Sequence, residues 1–177
     1  MNDKELAKVK SVVRNIPDFP VPGIQFKDLT TAFKDPEALE IMAQTLIDIY
    51  GDKGVTKVVG VEARGFIGGA ILANRLGAGF VPLRKPGKLP AEVIQKSYAK
   101  EYGTDTLEIH KDAILPDDIV VIHDDLLATG GTMLAAYELV KSMNPKKVYI
   151  NFICDLADLH GREVFPPDVD VTTLFTF

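Results

Sequence analysis

Short apolar segments alternate with segments of helical periodicity through the middle of the chain. The apolar segments have the length and β-branched content of strands: KVVGVEA (57–63), GFVPL (79–83), IVVIHDD (119–125), KVYINFICDL (147–156) and, near the end, VDVTTLF (169–175). The helical segments between them are RGFIGGAILANRL (64–76) and GGTMLAAYELVKSM (130–143). Such alternation is typical of βαβ units, because parallel strands need a crossover connection. The sequence therefore predicts an α/β fold with a mostly parallel sheet flanked by helices.

The N-terminal part adds elements to this core. Apolar residues recur at helical spacing within 3–16, and a second helix is expected over 36–50 with Asp35 as its N-cap. Between them, the prolines of 17–28 exclude a helix interior, so a loop or a short extended segment is expected there. The length of 177 residues suits a single domain over 1–177.

The composition is that of an ordinary globular chain with an acidic balance. The chain is 46% hydrophobic and 25% charged, with a net charge of -5. Nucleic-acid binding needs a basic face, so this balance argues against nucleic acid as a partner. No apolar run approaches the roughly 20 residues that span a bilayer, and the N-terminus lacks a signal-peptide core. The lone Cys154 is predicted to be a small buried strand residue. A cytoplasmic protein that does not bind membranes is expected.

Residues 84–105 interrupt the pattern. The stretch RKPGKLPAEVIQKSYAKEYGTD has no clean period, and long irregular segments in compact domains are usually functional lids or disordered stretches. The alternating TLEIH (106–110) predicts a strand that ends the interruption. The sequence thus predicts a long flexible loop.

The run VVIHDDLLATGGT (120–132) combines an acidic strand end with a glycine-containing loop. In open parallel sheets, ligands bind beyond the carboxyl ends of strands, where Asp124 and Asp125 lie. Residues 128–132 lead into a helix, whose first N–H groups and dipole attract anions. Carboxylates suit sugar hydroxyls, or a metal that itself holds phosphates. The run fits neither the Walker loop nor the dinucleotide pattern, and it predicts a site for a phosphorylated sugar.

The same run resembles the phosphoribosyl-diphosphate (PRPP) motif of the type I phosphoribosyltransferases. Four further segments, in the same order along the chain, resemble the adenine-specific members of that family: DFPVPGIQFKD (18–28), VEARGF (61–66), RKPGKLP (84–90) and SYAKEYGTDTLEIHKDA (97–113). The resemblance extends from Asp18 to Glu163. It implies the type I phosphoribosyltransferase fold, with a small N-terminal hood within 1–34 and a catalytic flap over 84–105.

This resemblance also implies an activity in purine salvage. Adenine-specific members transfer the 5-phosphoribosyl group from PRPP to N9 of adenine and release AMP and pyrophosphate. Mg²⁺ takes part bound to the substrate phosphates, with no direct protein ligand expected. The family further implies a homodimer.

Residues around PRPP receive roles from the resemblance. Asp124 and Asp125 would engage the ribose hydroxyls. The 5′-phosphate would lie in the loop formed by Ala128, Thr129, Gly130, Gly131 and Thr132.

The pyrophosphate would meet a second loop and a basic cluster. Glu62, Ala63 and Arg64 would form the loop, where this fold often has a cis peptide, and Arg64 is one predicted catalytic residue. Arg84 and Lys88 would attract the polyanion, whereas Lys85 is explained equally well as a solvated lysine.

Glu101 is the other predicted catalytic residue. In the family, the glutamate of the EYG triplet lies near adenine N7 and acts as acid/base when N9 attacks C1′ of the ribose. Tyr102 would pack close to the ribose or the base. Closure of the flap would exclude water from the reacting centre.

The proline-rich segment would recognise the base. Backbone groups around Gln25 would meet the edge of adenine, and Phe26 would stack on its face. Lys27 would be a third base-binding residue, and it stands where many relatives have arginine, whose planar fork lysine does not reproduce. His123, just before the two acids, is predicted to be a strand residue that faces a helix and not a catalyst.

Two alternatives remain open from the sequence. One is a phosphoribosyltransferase for a 6-oxopurine, against which the hood and the EYG segment argue. The other is a regulator of the same fold that senses PRPP and binds nucleic acid. The acidic balance and the presence of Glu101 weaken that alternative.

Overall fold

Strands and helices alternate in two parts of the chain, around the helices Gly65–Leu76 and Gly131–Lys141. A computed structural model describes residues 1–19, 21–99 and 103–177. In chain order its elements are α1 (Asp3–Val12), β1 (Arg14–Pro17), β2 (Gln25–Asp28), α2 (Thr30–Lys34), α3 (Pro36–Tyr50), β3 (Lys57–Val61), α4 (Gly65–Leu76), β4 (Gly79–Leu83), β5 (Val93–Ala99), β6 (Thr104–His110), β7 (Ile119–Leu127), α5 (Gly131–Lys141), β8 (Lys147–Asp155) and β9 (Asp170–Thr176). Short 3₁₀ turns at Ala157–Leu159 and Gly161–Val164 connect the last two strands.

A parallel sheet forms the centre of the fold. Its strand order is β4-β3-β7-β8-β9, and each neighbouring pair is parallel. The predicted α/β architecture is confirmed, with β9 at one edge. Cys154 is fully buried in β8, as predicted, and burial raises the pKa of its thiol to about 12.

Helices cover both faces of this sheet. On one face, Leu72 of α4 and Val121 of β7 belong to the same apolar cluster, together with residues of α3. On the other face, Leu139 of α5 packs in a cluster with Ile122 of β7. Consecutive strand residues point to opposite faces, so β7 is buried on both sides and its sequence is a continuous apolar run. No helix in the described ranges is long and apolar enough to cross a membrane.

The N-terminal part differs in detail from the prediction. α1 ends at Val12, and Arg14–Pro17 pairs antiparallel with Gln25–Asp28. The helical spacing within 3–16 therefore overestimates α1, because the residues from Arg14 onward pair as a strand with β2. The short α2 was not predicted. α3 begins as predicted, with the Asp35 carboxylate accepting the N–H of Ala38 at 2.9 Å.

Asp28 joins the β1–β2 hairpin to α2. Its Oδ1 accepts hydrogen bonds from the backbone N–H and the hydroxyl of Thr30, at 3.0 and 2.6 Å. Its Oδ2 accepts one from Nη2 of Arg14 at 2.5 Å. The Thr30 hydroxyl, with help from Arg14, lowers the pKa of Asp28 to about 2, although burial opposes this. The strand that carries Phe26 is thereby anchored at its end.

Part of the segment predicted to be irregular forms a strand. β5 pairs antiparallel with β6, so the prediction is wrong for Val93–Ala99. Ile94, Lys96 and Tyr98 alternate toward α5, where Nζ of Lys96 lies 2.9 Å from Oε2 of Glu138. Because Lys96 lies between the two apolar residues of this inner face, the sequence does not show the apolar alternation that would predict a strand. The predicted strand at TLEIH is confirmed and begins earlier, at Thr104.

His123 lies beneath α4 at the centre of the fold. Its side chain is fully buried, and a Cβ added at Gly68 of α4 would lie 2.3 Å from Nε2. Nδ1 lies 2.7 Å from Oδ1 of Asn151, whose Nδ2 donates to the hydroxyl of Thr172 at 3.0 Å. An amide oxygen only accepts, so Nδ1 carries a hydrogen. Burial lowers the pKa of His123 to about 4, so the ring is neutral at pH 7 with that hydrogen as its only N–H. The prediction of a strand residue that faces a helix is confirmed.

This burial makes the fold sensitive to acid. Burial lowers the pKa of His123 to about 4, whereas an unfolded histidine has a pKa of about 6.5. Between these values the unfolded state binds more protons, so the free energy of unfolding falls as the pH falls. From pH 7 to pH 4 the loss amounts to about 3 kcal/mol. We expect His123→Gln to remove this loss in urea unfolding at the two pH values.

The exposed His160 provides the matched control, since its side chain is 72% exposed. His160→Gln removes one histidine without touching the core, and it should keep the acid sensitivity of the wild type. If His123→Gln instead loses as much stability as the wild type between pH 7 and pH 4, this account of His123 is wrong.

Candidate active site

The carboxyl ends of β3, β4 and β7 meet at one edge of the sheet. Gly60 is opposite His123, and Val61 is opposite Leu83, so the residues that follow these strands are neighbours. A cavity of about 280 Å³ lies at this edge. Its wall contains these residues of the predicted PRPP site: Glu62, Asp124, Ala128, Thr129, Gly130, Gly131 and Thr132.

A larger groove of about 590 Å³ lies elsewhere, between α1 and α3. Its wall consists of helix-surface residues such as Lys4 and Glu37, and none of the strand-end residues is among the described residues that line it. Ligands of open parallel sheets bind at strand ends. The smaller cavity is therefore the candidate active site.

Two glycines shape the loop before α5 in different ways. Gly130 is the N-cap with a φ of +81°, and a Cβ there would lie 2.4 Å from the carbonyl oxygen of Gly161. A Cβ at Gly131, by contrast, would have no heavy atom within 4 Å. The first N–H groups of α5 have no partner within the helix. The missing side chain at Gly130 thus allows the loop to pack against Gly161. At Gly131 it leaves open space at a helix start, which suits an anion.

The two adjacent acids occupy different positions. Asp124 lies on the cavity wall, and its Oδ1 accepts the N–H of Asp125 at 2.8 Å. Asp125 is buried and accepts a short hydrogen bond from Nε of Arg64, which forms an ion pair. Burial and the charge of Asp125 raise the pKa of Asp124 well above its ordinary value. Asp124 therefore faces the cavity, and Asp125 holds Arg64.

Glu62 organises the loop after β3. The peptide bond between Glu62 and Ala63 is cis, as the resemblance implies. The Glu62 carboxylate accepts hydrogen bonds from Nε and Nη2 of Arg84, both at 3.2 Å, and from the N–H of Lys85 at 2.8 Å. These contacts, Arg84 foremost, lower the pKa of Glu62. The guanidinium of Arg84 is thereby fixed beside the cavity, whereas the exposed Lys88 contributes its carbonyl to Arg84 at 3.5 Å.

Lys85, for which the sequence leaves both a place in the basic cluster and a solvated position open, lies at the candidate site. It lines the cavity beside Glu62, and Nζ is paired with Asp105 of β6. The available signal was its position two residues after β4, at the edge where β3 and β7 also end. Of the two explanations that the sequence leaves open for Lys85, the structure favours a place in the basic cluster beside the cavity.

The β1–β2 hairpin directs Phe26 toward the site. The Phe26 ring centroid lies 5.9 Å from Cζ of Arg64 and 5.1 Å from the ring of Phe19. The Gln25 side chain accepts a hydrogen bond from Nδ2 of Asn15 at 2.7 Å. Lys27 lies on the other face of β2, where Nζ is 4.5 Å from the ring centroid of Phe177. Of the three residues predicted to contact the base, Phe26 lies beside Arg64. The side chain of Gln25 is bound to Asn15, and that of Lys27 points to Phe177, away from the site.

The two flap residues predicted to reach the reacting centre, Glu101 and Tyr102, lie outside the described residues. Their roles stay predictions.

The glycines before α5 separate a structural from a ligand-binding function. Gly130→Ala introduces a positive φ on alanine and a contact with Gly161, so we expect a loss of about 2–4 kcal/mol in the free energy of unfolding. Gly131→Ala should change this quantity by less than about 0.5 kcal/mol. Its methyl group would still narrow the cavity, and we expect weaker binding of ribose 5-phosphate. Urea unfolding and calorimetric titration measure the two effects. Unchanged affinity in Gly131→Ala would contradict phosphate binding at this loop.

Comparisons with known proteins agree with this geometry. The family described as phosphoribosyl transferase domain matches residues 30–176. The adenine phosphoribosyltransferase of Bacteroides thetaiotaomicron is 63% identical over 168 residues, 95% of either chain. The structure of adenine phosphoribosyltransferase from Rhodothermus marinus is 47% identical with a TM-score of 0.93, covering 99% of this chain and 100% of that one. The APRTase of Giardia lamblia complexed with 9-deazaadenine is 42% identical with a TM-score of 0.91, covering 97% of each chain.

The matched region contains every residue of the cavity wall. Its relatives match over nearly their whole length, and their structures share the parallel sheet flanked by helices. The chain therefore belongs to the phosphoribosyltransferase family, among the adenine phosphoribosyltransferases.

Proposed function

We propose that this protein transfers the 5-phosphoribosyl group from PRPP to N9 of adenine, releasing AMP and pyrophosphate in purine salvage. The observation that carries the proposal is one cavity that joins an acidic strand end to a glycine-containing helix start. These two features suit the two halves of a sugar phosphate, hydroxyls and phosphate respectively. The family membership of the chain supports the same activity.

The ribose 5-phosphate part of PRPP would lie along the loop before α5. The 5′-phosphate would accept hydrogen bonds from the backbone and hydroxyl groups of 128–132. The ribose hydroxyls would donate to Asp124, which lies on the cavity wall. Asp125 would accept a hydrogen bond from a ribose hydroxyl from the buried side of the site, and it also orients Arg64.

The pyrophosphate would lie near the cations that follow β3 and β4. Arg64 begins α4, and Arg84 and Lys85 follow β4. Lys88 would contribute charge from the exposed part of the loop. Positive charge at this side stabilises the negative charge that develops on the leaving pyrophosphate.

Adenine would bind under the β1–β2 hairpin. Phe26 offers an aromatic face close to Arg64, and backbone groups around Gln25 would meet the 6-amino edge. A site built for that edge leaves its polar groups unpaired with a 6-oxopurine, which rejects the wrong base strongly. The structure of the Giardia lamblia relative with 9-deazaadenine supports a purine at this site.

The proton transfer is assigned to Glu101 by the family resemblance. Its carboxyl group would exchange a proton with adenine N7 as N9 attacks C1′. Tyr102 would pack beside the ribose or the base. Water must be kept from the ribosyl centre, because an oxocarbenium-like carbon would otherwise be hydrolysed.

Mg²⁺ would enter bound to PRPP. The described part of the chain offers no group of three or more His, Cys, Asp or Glu side chains that could hold a metal ion. Phosphate oxygens are preferred ligands of Mg²⁺, which usually keeps few protein ligands. When bound, the ion would neutralise charge on the pyrophosphate. The proposal also includes a homodimer, which the family resemblance implies, and the cytoplasmic location expected from the sequence.

The substrate assignment is tested by AMP formation from adenine, PRPP and Mg²⁺. Hypoxanthine, guanine and xanthine are supplied in parallel reactions. We expect turnover with adenine alone, because the unpaired polar groups of the base site reject 6-oxopurines. Turnover with a 6-oxopurine would overturn the role of the Gln25 segment. PRPP binding without turnover of any base would favour the regulator.

The acid/base assignment is tested by Glu101→Gln in the same assay. Loss of a positioned proton donor should lower kcat at least about tenfold. Glu92→Gln is the matched control, because Glu92 lies in the same segment, residues 84–105, and its side chain is 83% exposed. Wild-type kcat in Glu101→Gln would contradict the assignment.

A further inference from the structure

A carboxylate of the β5–β6 hairpin reaches the wall of the candidate active site. Oδ2 of Asp105 accepts a short hydrogen bond from Nζ of Lys85, which lines the cavity. Oδ1 of Asp105 accepts the N–H of Thr106 at 2.9 Å, which fixes the carboxylate plane. The ammonium group that an anionic substrate would meet is therefore already bound to an anion of the chain.

Tyr98 extends this contact across to the loop before α5. Its hydroxyl donates to Oδ2 of Asp105 at 3.3 Å and lies 3.1 Å from Oγ1 of Thr132. A phenol has one hydrogen, and a carboxylate only accepts. Thr132 therefore donates its hydroxyl hydrogen to the Tyr98 oxygen. Lys85 and Thr132 lie on two sides of the cavity. Lys85 binds the Asp105 carboxylate directly, and Thr132 is connected to it through Tyr98.

These hydrogen bonds run in the direction opposite to what a phosphate needs. Phosphate oxygens accept, so the Thr132 hydroxyl can serve a phosphate only after its hydrogen turns away from Tyr98. A pyrophosphate can reach the Lys85 ammonium only in competition with Asp105, whose charge also repels it. The substrate can therefore contact Lys85 only by displacing Asp105, and it can accept a hydrogen bond from Thr132 only by displacing Tyr98.

We propose that Asp105 and Tyr98 form a latch that engages Lys85 and Thr132 and is displaced by the phosphates of the substrate. The inference rests on the proposed PRPP site. The Asp105 carboxylate stands in for the substrate anion and ties the hairpin to the loop before α5. Anion binding and opening of the contacts that Asp105 and Tyr98 make are therefore thermodynamically coupled, and each favours the other.

A second tie between the hairpin and α5 lies away from the cavity. Nζ of Lys96 in β5 is 2.9 Å from Oε2 of Glu138 in α5. Glu138→Gln weakens the attachment of the hairpin without changing the charge beside Lys85. This variant separates competition for the anion site from simple loosening of the hairpin.

The test is the affinity for two probes, inorganic pyrophosphate and ribose 5-phosphate, measured by calorimetric titration at low ionic strength. Asp105→Asn removes the charge and keeps an oxygen for the Thr106 N–H. We expect it to bind pyrophosphate about two- to fivefold more tightly than the wild type, the range of a partly exposed ion pair. Tyr98→Phe frees the Thr132 hydroxyl and should bind ribose 5-phosphate about two- to fivefold more tightly. Glu138→Gln should match the wild type with both probes.

Unchanged or weaker pyrophosphate binding by Asp105→Asn overturns the latch, because the carboxylate would then position Lys85 for the substrate. An equal gain in Glu138→Gln also overturns it, because loosening alone would explain the effect. If Asp105→Asn does not fold, as judged by circular dichroism, the ribose 5-phosphate affinity of Tyr98→Phe decides the question.

AMP formation by the wild type separates the latch from the proposed function. A wild type that makes AMP while its variants show no gain contradicts the latch alone, whereas one that neither makes AMP nor binds the probes contradicts the proposed function as well.

Discussion

The register of β3 against its two parallel neighbours determines where the charged groups of the site lie. Gly60 is opposite His123 in β7, and Val61 is opposite Leu83 in β4. The N–H of Glu62 then continues the ladder to the carbonyl of Leu83 at 2.9 Å. Because side chains alternate along a strand, a slip by one residue would turn the site residues to the other face. The three strand ends form a binding site only in this register.

Three cations at this edge are each paired with a carboxylate of the chain. Arg64 binds Asp125, Arg84 binds Glu62, and Lys85 binds Asp105. Pairing lowers the cost of holding charges beside a partly dry cavity. A polyanionic substrate meets cations that are already oriented, but it must compete with these carboxylates. The pairs differ in what they hold: Asp125 is buried beneath the site, whereas Asp105 belongs to the β5–β6 hairpin and Glu62 to the loop after β3. The Lys85–Asp105 pair is therefore the one that also links the hairpin to the cavity wall.

The sequence predicts most of the sheet because its strands are buried on both faces. β3, β7 and β8 are near-continuous apolar runs, and their ends coincide with the predicted strands to within a few residues. β5 escapes prediction because Lys96 interrupts its inner face and finds its partner, Glu138, about 40 residues away. The short α2 and the β1–β2 pairing escape because tertiary contacts such as Arg14 with Asp28 stabilise them. At the site, the acidic strand end and the glycine loop were predictable, since each follows local chemistry. The separate positions of Asp124 and Asp125, and the engagement of Lys85, depend on how distant segments meet.

We expect the loop before α5 and the acid on the cavity wall to hold a phosphorylated sugar. A crystal structure of the protein with ribose 5-phosphate would show whether they do. The phosphate should lie against the backbone of Ala128–Thr132, with the ribose hydroxyls within hydrogen-bonding distance of Asp124. A phosphate bound instead in the groove between α1 and α3, with the strand-end cavity left to solvent, would contradict this expectation.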